Sequence, residues 1–231
     1  MTTGALLKRG EDGRVREFSF DTIKDFDRHI HLSIPNYDVM FDSLLKVSEY
    51  FIDPGRTIYD IGCSTGRLLK TLAEKFPTQR MIGFDSSANL LPQDHDHGKI
   101  RFVLTDLNQP QAFPSACLVF SIFTLQFLKK EFRPAIVQAI FDGLPVGGAF
   151  IIAEKSYASE PQMQDVFTSA YYDYKAKTFS AEEIFTKERD LRLILRPQTS
   201  SQNRNMLYRA GFSIVEPFYK YFQFEACICI K

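Results

Sequence analysis

The stretch from Thr57 to Leu72 constrains the chain most. Thr57-Ile58-Tyr59-Asp60-Ile61 is a short, β-branched apolar run, and Gly62-Cys63-Ser64-Thr65-Gly66 places three small residues between two glycines. Arg67-Leu68-Leu69-Lys70-Thr71-Leu72 then resumes with helical character. The order reads as a strand, a tight turn and the first turn of a helix. Glycine is wanted where the chain turns sharply or lets a ligand touch the backbone. Free N–H groups at a helix start suit an anion or a polar ligand edge. A second apolar run, Met81-Ile82-Gly83-Phe84, ends in Asp85, and an acid at the tip of a second strand is where nucleoside folds grip ribose hydroxyls.

The rest alternates around this pair. Strands are predicted over 57–61, 80–84, 100–104, 116–123 and 149–154, with helices over 65–75, near 87–91 and over 132–143. Alternation of this kind implies an α/β fold, a doubly wound, mainly parallel sheet with right-handed crossovers. Upstream, a helix over 18–31 stops before Ser33-Ile34-Pro35, and Asn36 is placed to cap a helix over 37–51. Residues 155–205 break the alternation with helical stretches over 159–176, 181–195 and 201–210, read as an insertion over the carboxyl edge of the sheet. Strands over 212–215 and 222–230 are joined too briefly for a parallel crossover and must pair antiparallel, bringing the sheet to seven strands. Residues 1–17 read as a mobile arm. Residues 18–231 read as one domain with an N-terminal helical lid (18–51) and a helical insertion (155–210).

Composition removes several function classes. At 231 residues and 45% hydrophobic, one core of doubly wound size is within reach. Lys plus Arg equals Asp plus Glu at 28 each, so no global field steers the chain to nucleic acid or an anionic membrane. No leader-like apolar segment opens the sequence and no run approaches 18 apolar residues, so a soluble cytoplasmic protein acting on a small molecule is expected. The cysteines at 63, 117, 227 and 229 form no C-x-x-C pair, which argues against a disulfide scaffold; Cys227 and Cys229 share one strand face and read as core. His95 and His97 among Asp94 and Asp96 read as a solvated loop, because zinc sites draw ligands from separated segments; no metal is expected.

Gly62 to Gly66 fits two functional templates beside a purely structural turn. One is the nucleophile elbow G-x-S-x-G, with Ser64 attacking an acyl group. It needs a histidine after the serine and the acid in chain order, and the histidines, 29, 31, 95 and 97, include none beyond residue 97. The other is the acid-x-G-x-x-x-G turn, Asp60 to Gly66, of nucleoside-binding α/β enzymes. Asp85 could instead cap the short helix after it, but Asp106 follows the third strand in the same way. Turn, acid and acid then occupy three successive strand ends. The G-x-G-x-x-G of dinucleotide-binding dehydrogenases is absent. Tyr171-Tyr172-Asp173-Tyr174 reads as packing or as a platform for a planar substrate.

With these features the chain resembles the class I S-adenosylmethionine-dependent methyltransferases, a Rossmann-like fold. More closely it is similar to the carboxy-S-adenosyl-L-methionine synthases of the tRNA wobble-uridine pathway. The similarity runs from about residue 18 to the C-terminus. It is carried by FSFD (18–21), SIPNY (33–37), YDIGCSTG (59–66), FDSS (84–87), FTLQFL (123–128), LPVGGAFIIAEK (144–155), YYDYK (171–175) and RAGF (209–212). The resemblance implies S-adenosyl-L-methionine or its carboxylated derivative as cofactor. It puts Tyr37 over that cofactor in the lid, and Gly62, Cys63 and Ser64 along the methionine end, within the turn from Asp60 to Gly66. Asp85 would hold the ribose hydroxyls with Ser86 beside it, and Asp106 with Leu107 would face the adenine. It further implies a homodimer through the insertion.

Two positions depart from that family. Its pattern has an asparagine just before FTLQFL and an arginine three residues before the terminal K-A-G-F; together they hold the extra carboxylate of the unusual cofactor, the arginine coming from a partner subunit. Here those positions are Ile122 and Met206. Neither side chain binds a carboxylate, and burying one unpaired costs several kcal/mol (roughly, on general grounds). The expectation is therefore transfer of an uncharged sulfonium methyl, with Tyr157, Tyr171, Tyr172 and Glu154 as candidate catalytic groups where the family places its substrate. A carboxy-S-adenosylmethionine synthase using prephenate, or a binding protein without catalysis, are the rivals.

Overall fold

A computed structural model describes residues 8–9, 15–16, 25–94 and 96–231. The arm and the first motif, FSFD, lie largely outside the described residues, apart from a two-residue antiparallel pairing of Lys8–Arg9 with Val15–Arg16. Helices α1 (Phe26–Ser33) and α2 (Tyr37–Ser48) lead into β1 (Thr57–Ile61), α3 (Arg67–Lys75), β2 (Arg80–Asp85), β3 (Ile100–Leu104) and β4 (Ala116–Ile122). After these come α4 (Arg133–Gly143), β5 (Ala149–Lys155), α5 (Pro161–Lys175), α6 (Ala181–Ile194), α7 (Ser200–Ala210), β6 (Ile214–Tyr221) and β7 (Phe224–Ile230).

The seven strands line up as β3-β2-β1-β4-β5-β7-β6, with a two-residue strand, Asp96–His97, added at the β3 edge. Strands β1 to β5 are parallel, and β7 runs antiparallel between β5 and β6. Chain order reverses between β1 and β4, a topological switch point of the kind that opens a ligand crevice at the carboxyl edge. Residue alternation explains the two faces of the sheet. Ile58, Leu118, Phe120 and Ile151 pack with α2 and α3 through Met40, Leu44 and Leu69. Tyr59, Ile61, Val119, Phe150 and Ile152 pack on the other side with α4 and α7. Strands covered on both faces need apolar residues at nearly every position, which is why β4 reads as a continuous apolar run. Cys227 and Cys229 sit in this second core, as their spacing on one strand face implied.

Three local expectations are corrected. The segment after Asp85 forms turns, not a helix, because Asp85 Oδ1 accepts the Ser87 N–H at 2.8 Å and closes the backbone at once. Asn36 stands in the left-handed region (φ 51°) and makes no side-chain cap. The insertion also divides: α5 and α6 cover the carboxyl edge, while α7 packs beside α4 in the outer layer, burying Leu207 and Ala210 against Ile136 and Ile140. Among the described residues no helix is long and apolar enough to cross a membrane.

Candidate active site

The carboxyl edge of the parallel strands, roofed by α1, α2, α5 and α6, encloses a cavity of about 470 Å³, within the range of small-molecule sites. The glycine turn after β1 forms one wall. Gly62 (φ 74°) and Gly66 (φ 73°) adopt left-handed conformations that disfavour any side chain. Each is also closed sterically. A Cβ on Gly62 would lie 2.2 Å from Thr124 Oγ1, and one on Gly66 would lie 2.4 Å from Phe102 Cζ. Gly62, Cys63 and Ser64 line the cavity, whereas Gly66 stands behind it as the residue that starts α3. Ser64 itself has φ 48°, a strained value for a residue with a Cβ.

Two acids meet at this turn. Asp85 Oδ2 accepts the Ser64 N–H at 2.8 Å. A carboxylate offers two acceptor oxygens, the chemistry that a pair of vicinal hydroxyls requires. Asp60 is fully buried, and burial, reinforced by the Asp85 charge, raises its carboxyl to about 8. Asp60 is thus a proton-bearing acid at neutral pH. Further along the edge, Ser86, Asp106, Leu107 and Asn108 line the cavity. Asp106 is exposed and accepts both the backbone and side-chain N–H groups of Asn108 at 2.9 and 2.8 Å, which hold its carboxyl below the usual range. Asn108 Oδ1 is buried and has no hydrogen-bond partner among the described residues. An unpaired acceptor in the cavity wall, next to apolar Leu107, fits an exocyclic amine of a base.

The lid is latched to the turn from above. Tyr37 lines the cavity and packs on Phe41, and burial raises its phenol. Arg67, from the first turn of α3, reaches over the Phe41 ring at 4.6 Å and hydrogen-bonds His31, which pairs with Asp38 at 3.0 Å. Asp27 accepts the Thr65 hydroxyl at 3.0 Å.

Beyond the turn, β4 contributes Ile122, and Phe123 follows just past the strand with φ 57°. Gln126 fixes the neighbouring strand tip, its Oε1 accepting the Lys155 N–H at 2.7 Å. The four residues read as catalytic candidates part company here. Tyr171 lines the cavity, yet its hydroxyl donates to the Ser33 carbonyl at 2.8 Å and burial raises its pKa, so it is a wall and not a base. Tyr172 and Tyr157 do not line the cavity; Tyr157 is 47% exposed. Glu154 alternates to the opposite side of β5, where burial lifts its carboxyl to about 8 against the partial relief of Arg133. Met206 packs against the outer-layer core and contributes nothing to the cavity wall.

Lysines supply what sequence reasoning missed. Lys155, Lys175 and Lys187 line the cavity together with His29. Lysines spaced 20 and 12 residues apart carry no local motif; only the meeting of β5, α5 and α6 joins them. Arg133 was equally silent. Its guanidinium is 1% exposed and donates to the carbonyls of Gln126, Leu128 and Arg196 at 3.1, 3.0 and 2.7 Å, pinning the floor of the cavity.

Comparison with known proteins agrees with this geometry. The Methyltransferase domain family profile matches residues 58–148, from β1 to the start of β5. Carboxy-S-adenosyl-L-methionine synthase of Staphylococcus epidermidis is 31% identical over 218 residues, covering 92% of this chain and 95% of that protein. The synthase of Nitratiruptor sp. is 31% identical over 221 residues, covering 93% and 92%. Among solved structures, human N-acetylserotonin methyltransferase in complex with SAM superposes with a TM-score of 0.58 at 16% identity, over 84% of this chain and 52% of that one. The pyocyanin biosynthetic protein PhzM superposes with a TM-score of 0.59 at 14% identity, over 91% and 59%. The chain thus spans little more than half the length of these methyltransferases, and the likeness concerns the fold. Identity that extends across nearly the whole length of both proteins shows that the chain belongs to the carboxy-S-adenosyl-L-methionine synthase family, built on the class I S-adenosylmethionine-dependent methyltransferase fold.

Proposed function

We propose that this protein is a methyltransferase that binds S-adenosyl-L-methionine and methylates a small molecule. Asp85 and Ser86 would hold the ribose, Asn108 and Leu107 the base, and the backbone of Gly62 to Ser64 the methionine end, with Tyr37 closing over it. Bound there, the cofactor would supply an electrophilic methyl, lost as the carbon–sulfur bond breaks and leaves its electron pair on sulfur. The chain contributes position and exclusion of water, worth up to about 7–11 kcal/mol of a barrier in favourable cases.

Ile122 carries the choice of methyl. It lines the cavity at the tip of β4, one strand from the glycine turn, and an aliphatic wall tolerates a methyl but penalises a carboxylate. The test is incubation with S-adenosylmethionine followed by mass spectrometry of the cavity ligand and of released nucleoside. S-adenosylhomocysteine with a methylated acceptor is the expected outcome; a ligand heavier by one carboxyl group overturns it. That second reading, a carboxy-S-adenosylmethionine synthase, is favoured by the relatives above and predicts consumption of prephenate. Ligand binding with no turnover of either kind would leave a binding protein. Dimerisation through the insertion is proposed on the family resemblance, and sedimentation velocity tests it.

A further inference from the structure

The two helices of the lid are held in different ways. Apolar burial fastens α2: Met40 and Leu44 are fully buried, and Tyr37 and Phe41 nearly so. In α1 no residue is buried, and Ile30, which meets the core, is only partly covered. Polar side chains hold α1 down instead. Asp27 accepts the Thr65 hydroxyl at 3.0 Å, His29 accepts from Lys187 at 2.9 Å, and His31 accepts from Arg67. Water replaces such contacts more readily than it accommodates a buried apolar side chain set free. Yet α1 forms much of the roof, since Phe26, Asp27, His29, Ile30 and Ser33 line the cavity. We propose that α1 alone is the gate of the cavity, and that Arg67 is the positioning residue that latches it shut. The gate's part in cofactor exchange rests on the nucleoside site proposed above.

Between the helices the chain is built as a pivot. Ile34 is extended, Pro35 follows, and Asn36 stands in the left-handed region, so the helical ladder is broken there. Two aromatic hydroxyls pin this joint to the body of the protein. Tyr171 donates to the Ser33 carbonyl at 2.8 Å and Tyr219 to the Pro35 carbonyl at 2.5 Å. A pinned joint with a strained residue lets α1 swing while α2 stays packed. The latch sits on the turn assigned to the cofactor. Thr65 belongs to that turn, and Arg67 opens α3 directly after Gly66. The guanidinium lies 4.6 Å from the Phe41 ring centroid and 5.8 Å from that of Tyr37, so α2 keeps it in place when α1 lifts. His31 accepts from Arg67 at Nε2 and meets Asp38 Oδ1 through Nδ1 at 3.0 Å, which joins α1, α2 and α3 at one ring. A nucleoside seated against Gly62 to Ser64 lies beneath α1, and its release waits on this latch.

The experiment measures hydrogen exchange and ligand release in the full-length protein. Without ligand, the amides of α1 are expected to exchange at least about tenfold faster than those of α2. Arg67→Met should quicken α1 exchange about tenfold further and leave α2 unchanged. Release of tritiated S-adenosylhomocysteine into excess unlabelled ligand should quicken about tenfold in Arg67→Met and in Thr65→Val, the loss of one hydrogen bond from the barrier. Arg67→Lys keeps a charged donor without the fork, and its release rate should fall between those of Arg67→Met and the unaltered protein. Exchange of α1 and α2 at one common rate, or release unaltered in Arg67→Met, overturns the gate. Faster release accompanied by an equal loss of α2 protection also overturns it, because Arg67 would then hold the whole lid together. Failure of S-adenosylhomocysteine to bind the unaltered protein, with α1 still exchanging ahead of α2, would sink the nucleoside reading and leave the gate standing over another ligand.

Discussion

Asp85 and Ser64, from the tips of neighbouring parallel strands, are joined by a carboxylate-to-amide hydrogen bond of 2.8 Å. The contact shapes the turn and positions the acid in one stroke. It holds Ser64 at φ 48°, and it fixes Asp85 in the cavity wall. Replacement by asparagine keeps the size but loses charge-assisted acceptance, a contact worth about 1.5–3 kcal/mol. Asp85→Asn is expected to weaken S-adenosylhomocysteine binding about tenfold to a hundredfold by calorimetry. Wild-type affinity would remove Asp85 from the ribose site.

Gly66 tests the turn without touching the cavity. An alanine there must hold φ 73° and place its Cβ 2.4 Å from the Phe102 ring. Gly66→Ala should cost about 1–3 kcal/mol in urea denaturation. Adding Phe102→Leu relieves the steric part only, so partial recovery is the expected result.

Glu154 separates the buried carboxyl from the chemistry. Burial lifts its folded pKa to about 8, above the ordinary carboxyl value of 4.5. Between these values the folded protein holds a proton that the unfolded chain has released. Stability therefore declines as pH rises from about 4.5 to about 8 and is level beyond, as far as this group is concerned. Glu154→Gln should make that segment of a stability–pH profile measured by thermal denaturation less steep, leaving the share contributed by Asp60, which is also raised to about 8. Nucleoside binding should not change, since Glu154 lies outside the cavity; loss of binding would restore it as a site residue.

Arg133 holds the cavity floor from behind. Methionine in its place leaves the carbonyls of Gln126, Leu128 and Arg196 short of their shared donor. The expected cost is about 3 kcal/mol of stability, with weaker ligand binding because Gln126 and Leu128 line the cavity. Arg133→Lys should recover little, since one ammonium cannot reproduce the spread of a guanidinium. Full recovery by lysine would show that charge alone matters there.

Much of this architecture was legible along the chain because its causes are local. Apolar runs of strand length, broken by glycine turns, set β1 to β5 within a residue or two of their observed ends. Asp60, Asp85 and Asp106 fell at strand tips, so the acidic half of the cleft could be read before any packing was known. Asn36 starts α2 from a left-handed conformation without the expected side-chain cap, and the helix expected after Asp85 fails because a side-chain acceptor closes the backbone into turns. Glu154, a candidate by its place in the chain, lies outside the cavity that its neighbour Lys155 lines. Neighbours on a strand face opposite ways, so an error of one residue exchanges the cavity for the far side of the sheet. What local pattern determined was a nucleoside-shaped, acid-tipped sheet edge. The basic half was decided by tertiary structure alone. Tyr171 meets the Ser33 carbonyl across 138 residues of sequence, and Lys187 meets His29 across 158. No periodicity records such pairs, because they exist only once the lid and insertion close on the same strand ends.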